Sequence, residues 1–200
     1  MLIVPRRPLP ADPDLLAHQP APRADGLVSV TITHLEMGRA DWTRRSQLPS
    51  RAISVTHEPP GSVALYREIY DAVGRPWLWY ERKLMSDEAL GGLLSRPGHE
   101  LHVARRDGDL VGYFELGDSE LVFFGLTLPY IGQRIGPWLL DQAIGRSFAL
   151  GVETLLLNTN TLDHPRALDT YRKAGFRVVR TENTELQDAR VLFPDLYRHR

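Results

Sequence analysis

The stretch FFGLTLPYIGQRIGPWLLDQAIGRSFALG, residues 123–151, reads as a buried strand, a glycine-bearing turn and an amphipathic helix that stops at a glycine. The turn, Tyr130-Ile131-Gly132-Gln133-Arg134-Ile135-Gly136, sets two glycines and an arginine at the start of the helix. Unpaired backbone N–H groups and the positive end of the helix dipole make such a place an anion site. A glycine there lets the backbone come close to a pyrophosphate. A purely structural turn carries the same pattern, so the turn alone does not decide a function. With the apolar run Val152–Asn158 after it, it does predict a βαβ crossover.

Downstream, Gly151 is the expected residue just past the helix end, and Val152–Asn158 is predicted as a strand buried on both faces. Pro165 is expected to open a helix running to Ala174, Gly175 to close it, and Phe176–Arg180 to form the last clear strand. Upstream, Leu101–Arg105, Leu110–Leu116 and Glu120–Leu128 are strands joined by tight turns at Asp107-Gly108-Asp109 and Gly117-Asp118. Ser86 caps a short helix that stops before Pro97. Ser62 caps an earlier helix whose apolar stripe is Val63, Tyr66, Ile69, Tyr70 and Val73, ending at Gly74. Residues 34–61 show no period and read as irregular, while Val28, Val30 and Ile32 alternate with polar residues as a half-buried strand. The predicted fold is α+β (mixed α/β), with a sheet that changes from hairpins to a crossover near residue 130. Residues 1–26, which hold six prolines, read as an extended arm, 27–184 as the domain and 185–200 as a tail.

Composition removes whole classes of chemistry. The chain has 200 residues, 42% hydrophobic and 24% charged, which suits one globular domain. A formal net charge of -1 gives no electrostatic case for nucleic acid or an anionic membrane. With no cysteine, there is no thiolate nucleophile, disulfide or Cys-ligated metal. The N-terminus MLIVPRRPLP is too short in apolar residues for a signal peptide, and the cytoplasm is the default expectation. His99 and His102 are placed on opposite faces of a strand with no evident third ligand, so no metal is expected.

The element order, with LPYIGQRIGPWLL and HPRALDTYRKAGF at these positions, resembles the GNAT superfamily of acyl-CoA-dependent N-acyltransferases over roughly residues 27–180. One motif is the family's pyrophosphate turn, Arg/Gln-x-x-Gly-x-Gly/Ala. Here Ile131 stands at its first position and Arg134 at its middle glycine. The other is Asn-x-x-Ala-x-x-x-Tyr-x-Lys-x-Gly-Phe, matched by Ala167, Tyr171, Lys173, Gly175 and Phe176, with His164 replacing the asparagine. The resemblance implies acetyl-CoA as co-substrate, held by Leu126, Thr127, Leu128, Gly132, Gln133, Arg134, Ile135, Gly136, Asn158, His164 and Tyr171. It further implies a bulge in the strand before the turn, for which Gly125 is the suited residue. A homodimer paired through C-terminal strands is a further implication, with a small-molecule amine favoured as acceptor.

The transfer needs a neutral amine, a polarised carbonyl and a proton for the leaving thiolate. The resemblance makes Tyr171 the acid; a core tyrosine on an apolar stripe is its plain alternative. Glu120 is the first candidate for the base, with a pKa raised by burial beside Val122 and Phe124, and a solvated strand end is the alternative. Glu115 is the reserve, and it is counted with Trp77, Trp79 and Tyr80 toward the acceptor pocket; core packing explains those aromatics equally well. A rival from another class keeps the fold and drops the chemistry: an acyl-CoA-binding sensor, in which Tyr171 would be dispensable.

Overall fold

The computed structural model describes residues 18–43, 52–59 and 62–197. Seven strands form one sheet in the order β2-β3-β4-β5-β6-β1-β7. Their bounds are β1 (Leu27–Gly38), β2 (Ser54–Glu58), β3 (Glu100–Arg106), β4 (Asp109–Gly117), β5 (Glu120–Leu126), β6 (Thr154–Asn160) and β7 (Arg177–Gln187). Every neighbouring pair is antiparallel except β5 and β6. Helices α1 (Val63–Gly74) and α2 (Asp87–Leu94) serve one face, and α3 (Ile135–Ala149) and α4 (Ala167–Ala174) the other; two four-residue helices, α5 (Ala189–Leu192) and α6 (Pro194–Tyr197), follow β7.

The two faces have separate cores. On one side Tyr66, Ile69, Tyr70 and Val73 of α1 pack on Leu101, Val103 and Tyr113. On the other, Leu139, Leu140 and Ile144 of α3 and Tyr171 of α4 pack on Phe114, Leu121, Leu155 and Leu157. The mixed α/β class, the hairpin run and the βαβ crossover stand as expected. Ser86 caps α2, its hydroxyl accepting from the Ala89 N–H at 3.1 Å. Ser62 stands at the cap position of α1 but makes no side-chain bond there.

Five expectations are corrected. Residues 34–61 are not uniformly irregular: β1 runs on to Gly38, and β2 pairs with β3 at the sheet edge. β6 is not buried on both faces, because Leu155 and Leu157 point inward while Leu156 is 44% exposed. Thr154, Leu156 and Asn158 on that face are exposed, while Leu155, Leu157 and Thr159 on the other are buried. The last strand runs to Gln187, past the expected tail boundary. Helix α4 starts at Ala167, leaving Pro165 in the preceding turn. Finally, the bulge of β5 lies at Val122, since Leu121 pairs with Leu116 and Phe123 with Glu115. Gly125 is there for another reason: a Cβ would meet Val73 Cγ1 of α1 at 2.5 Å.

Residues 1–17 of the arm lie outside the described residues. Just after them, Gln19 Nε2 donates to Pro76 O at 2.8 Å and to Leu162 O at 3.3 Å, joining the loop after α1 to the loop after β6.

Candidate active site

The parallel pair β5–β6 is registered at one point, Glu120 opposite Leu156. Beyond it the two strands splay, and the main chain of β5 faces an open cleft. Thr127 N–H is bonded to Val111 O on the β4 side at 2.9 Å. Successive N–H groups of a strand point to opposite sides, so the Leu126 N–H is turned toward the cleft. Thr127 itself is buried, with its hydroxyl donating to Leu110 O at 3.0 Å, and it anchors the end of β5 rather than lining the opening.

Past β5, Leu128–Tyr130 forms a 3-10 turn that leads into the glycine turn at the start of α3. Gly132 has φ +81°, and an added Cβ would meet no protein atom within 4 Å. The space beside it is open. Arg134 has φ +60°, the left-handed region that favours glycine, at the position where the motif places one. Its side chain is exposed, whereas Ile135 is buried and can offer only its N–H. Gln133 is held by its side chain, donating to Pro129 O at 2.7 Å and accepting from Arg106 Nη1 at 3.3 Å. Among the described residues, none of Gly132 to Gly136 gives its backbone N–H to a turn or loop acceptor. These N–H groups lie at the positive end of a fifteen-residue helix, where an anion is favoured.

Tyr171 of α4 packs into the core beneath β5. It is 8% exposed, with its ring edge-on to Phe124 of β5 at 6.2 Å and to Phe176 at 6.1 Å. Burial, with the negative charge of Asp163 in addition, holds its phenol well above the ordinary tyrosine value. The loop that carries Asp163 is tightly tied. Asp163 Oδ1 accepts from Trp79 Nε1 at 3.1 Å, and Oδ2 accepts from Thr159 Oγ1 at 2.7 Å and from Asn160 N–H at 2.9 Å. In the same loop His164 Nδ1 accepts from the Arg166 N–H at 3.0 Å, and its ring meets Trp77 at 5.4 Å.

Glu120 stands where β5 and β6 part, its Oε1 accepting from Asn158 Nδ2 at 3.1 Å. Burial raises its pKa above the usual carboxylate value, while the bonded Asn158 opposes the rise. Glu115 is a different case. It is fully buried, with its carboxylate 2.7 Å from Arg82 Nη2 and 3.3 Å from His99 Nε2, and it accepts from the Tyr66 hydroxyl. Burial pushes its pKa up, but His99, Arg82 and Tyr66 outweigh burial and hold the carboxyl below its ordinary value. Glu115 is therefore an internal counter-ion, not a group presented to an acceptor.

Trp77 is buried, and Trp79 packs against Phe123 at 4.9 Å and Tyr70 at 5.8 Å. Tyr80 is half-buried beside them. The structure thus packs Tyr171 against Phe124 of β5, seats His164 against Trp77, and pairs Glu120 with Asn158 where β5 and β6 part. Asp163 escaped the sequence reading; its signal is its place immediately before His164 in the loop that begins the motif helix.

A family model described as the Acetyltransferase (GNAT) family matches residues 62–176. Among solved structures, the chain is similar to a GCN5-related N-acetyltransferase from Sphaerobacter thermophilus, with 20% identity, a TM-score of 0.57, and coverage of 82% of this chain and 54% of that one. A GCN5-related N-acetyltransferase from Kribbella flavida gives 17% identity and a TM-score of 0.54, covering 82% and 60%. An aminoglycoside acetyltransferase from an uncultured soil metagenomic sample, solved with sisomicin, gives 14% identity and a TM-score of 0.52, covering 62% and 87%. The chain spans about half to two thirds of the length of the first three structures it resembles, at 54%, 64% and 51%. No curated protein matches the chain.

Proposed function

Since the chain belongs to the GNAT acetyltransferase family, we propose that it moves an acetyl group from acetyl-CoA to the primary amine of a small molecule. The single observation that carries this reading is the splay of β5 from β6 directly ahead of the α3 turn. An extended pantetheine arm fits such a gap as an added strand, with its diphosphate at the helix start. The Leu126 N–H, turned into the gap, is a donor for the thioester oxygen.

The amine nitrogen attacks the thioester carbon, the C–S bond breaks, and the amine loses one proton while the thiolate gains one. Tyr171, kept protonated by its buried site, suits the second transfer. Glu120, with its raised pKa, suits the first. A strand rises about 3.3 Å per residue. Glu120 therefore lies roughly 10–13 Å along β5 from Phe124, where Tyr171 packs, and the bulge at Val122 shortens that only slightly. Glu120 reaches the amine through water. Small amines are favoured as acceptors by the balanced net charge and by the aminoglycoside enzymes that share the fold.

The test is a thiol-release assay with acetyl-CoA against a panel of polyamines, aminoglycosides and amino-acid amides. The reading expects amine-dependent CoA release with at least one class, and loss of release in Tyr171→Phe. Release that is equal in Tyr171→Phe would remove Tyr171 from the mechanism.

A further inference from the structure

The sheet face that carries α3 holds a second cluster of chemistry far from the cleft. His57 of β2 and His102 of β3 are direct cross-strand partners, with rings stacked at 4.9 Å and 16°. Phe114 of β4 backs the His102 ring at 4.6 Å, so the three rings form a pile that fixes how the imidazole of His102 is presented. Two residues before His102 on the same face, Glu100 reaches back, and His102 Nε2 lies 2.7 Å from its Oε2. One ligand atom from each of His57, Glu100 and His102 lies within 4.8 Å of the others. A cation from α3 already meets Glu100: Arg146 Nε donates to Oε2 at 2.7 Å and Nη2 to Oε1 at 2.5 Å. Arg146 lies eleven residues into α3 from Ile135. That is roughly 16 Å along the helix axis from the anion turn.

We propose that His57, Glu100 and His102 bind a divalent transition-metal ion, zinc in the first instance. Two imidazoles and one carboxylate are a donor set that suits zinc, nickel and copper and discriminates against magnesium and calcium. With zinc–nitrogen bonds of about 2.1 Å, the ligand atoms of a tetrahedral site stand about 3.4 Å apart, so separations of up to 4.8 Å must close by up to about 1.4 Å while the hydrogen-bonded His102–Glu100 pair parts from 2.7 Å. His57 is the residue able to close it, because it is exposed on the edge strand while Glu100 and His102 are buried. Arg146 is a competitor and not a block. A carboxylate oxygen has two lone-pair positions, and the Arg146 side chain is 40% exposed and free to turn to water. Phe114 closes the apolar side of the site, as a shell around a metal ligand does.

The experiment is calorimetric titration of the full chain, with any affinity tag removed, against zinc chloride and nickel chloride, with magnesium chloride beside them. Wild type should bind one zinc ion in the micromolar range and melt at a higher temperature with zinc present. Exposed His57→Ala should lose at least tenfold in zinc affinity without unfolding. Arg146→Gln, which removes the competing cation, should bind zinc several-fold more tightly than wild type. No saturable zinc binding by wild type, or equal binding by His57→Ala, overturns the proposal. Unchanged zinc affinity in Glu100→Gln takes Glu100 out of the ligand set and overturns the three-residue site as well.

Discussion

Arg134 shows what one residue does to a motif. The glycine that the family pattern places there is demanded by a left-handed backbone, and Arg134 adopts φ +60° without being glycine. Such a conformation costs an L-residue roughly 1–2 kcal/mol, part of which glycine returns as unfolded-state entropy. Arg134→Gly should therefore stabilise the fold by up to about 1 kcal/mol in denaturant unfolding; a loss of stability would show that the arginine side chain holds the turn. Tyr171→Phe should lower kcat by roughly a hundredfold with CoA affinity nearly unchanged. The pH profile belongs to Glu120. A base works as the carboxylate, and burial has raised the pKa, so kcat/KM should fall as pH drops through a value above the ordinary glutamate range. Asn158 favours the charged form by its hydrogen bond, so Asn158→Ala should move this acid limb to higher pH. A limb that stays where it was would assign the titration to another group.

At the scale of elements, the network around Glu115 does the joining. It links β4 to Tyr66 of α1, to Arg82 of the turn before α2 and to His99 ahead of β3. Arg82→Gln would leave a buried carboxylate without its main counter-charge and should cost about 3–5 kcal/mol. Glu36→Gln, whose partner Arg177 is 69% exposed, should cost less than about 1 kcal/mol. Equal losses from the two in urea unfolding would contradict this reading of burial. The same elements show how far the sequence could be read. Alternation and turn residues placed β1, β3, β4 and β5, and the helical stripe placed α1, because each signal is local. β2 was not legible, since Ser54–Glu58 is an exposed edge segment with no apolar alternation to mark it. The His57–Glu100–His102 cluster stayed hidden with it, for His57 lies on that strand and only the pairing of β2 with β3 brings it beside His102. β6 reads as buried on both faces because an apolar run does not report which face of a strand is covered. Gly125 reads as the bulge residue, but its missing side chain makes room for Val73. The motif residues were legible as a pattern, but Asp163 was not, because its long-range bond from Trp79 Nε1 exists only once Trp79 is folded against its loop.

The whole molecule is a sheet whose N-terminal strand lies inside it, between β6 and β7, and whose one parallel pair opens into a cleft. That opening is where the account stands or falls, and calorimetric titration with acetyl-CoA, and separately with CoA, tests it most directly. The account predicts saturable one-to-one binding of both in the micromolar range, weakened at least tenfold in Gly132→Val, where a side chain would enter the open space beside the turn and strain a left-handed backbone. Absence of heat and of any thermal shift at millimolar ligand, or full affinity retained in Gly132→Val, would contradict it.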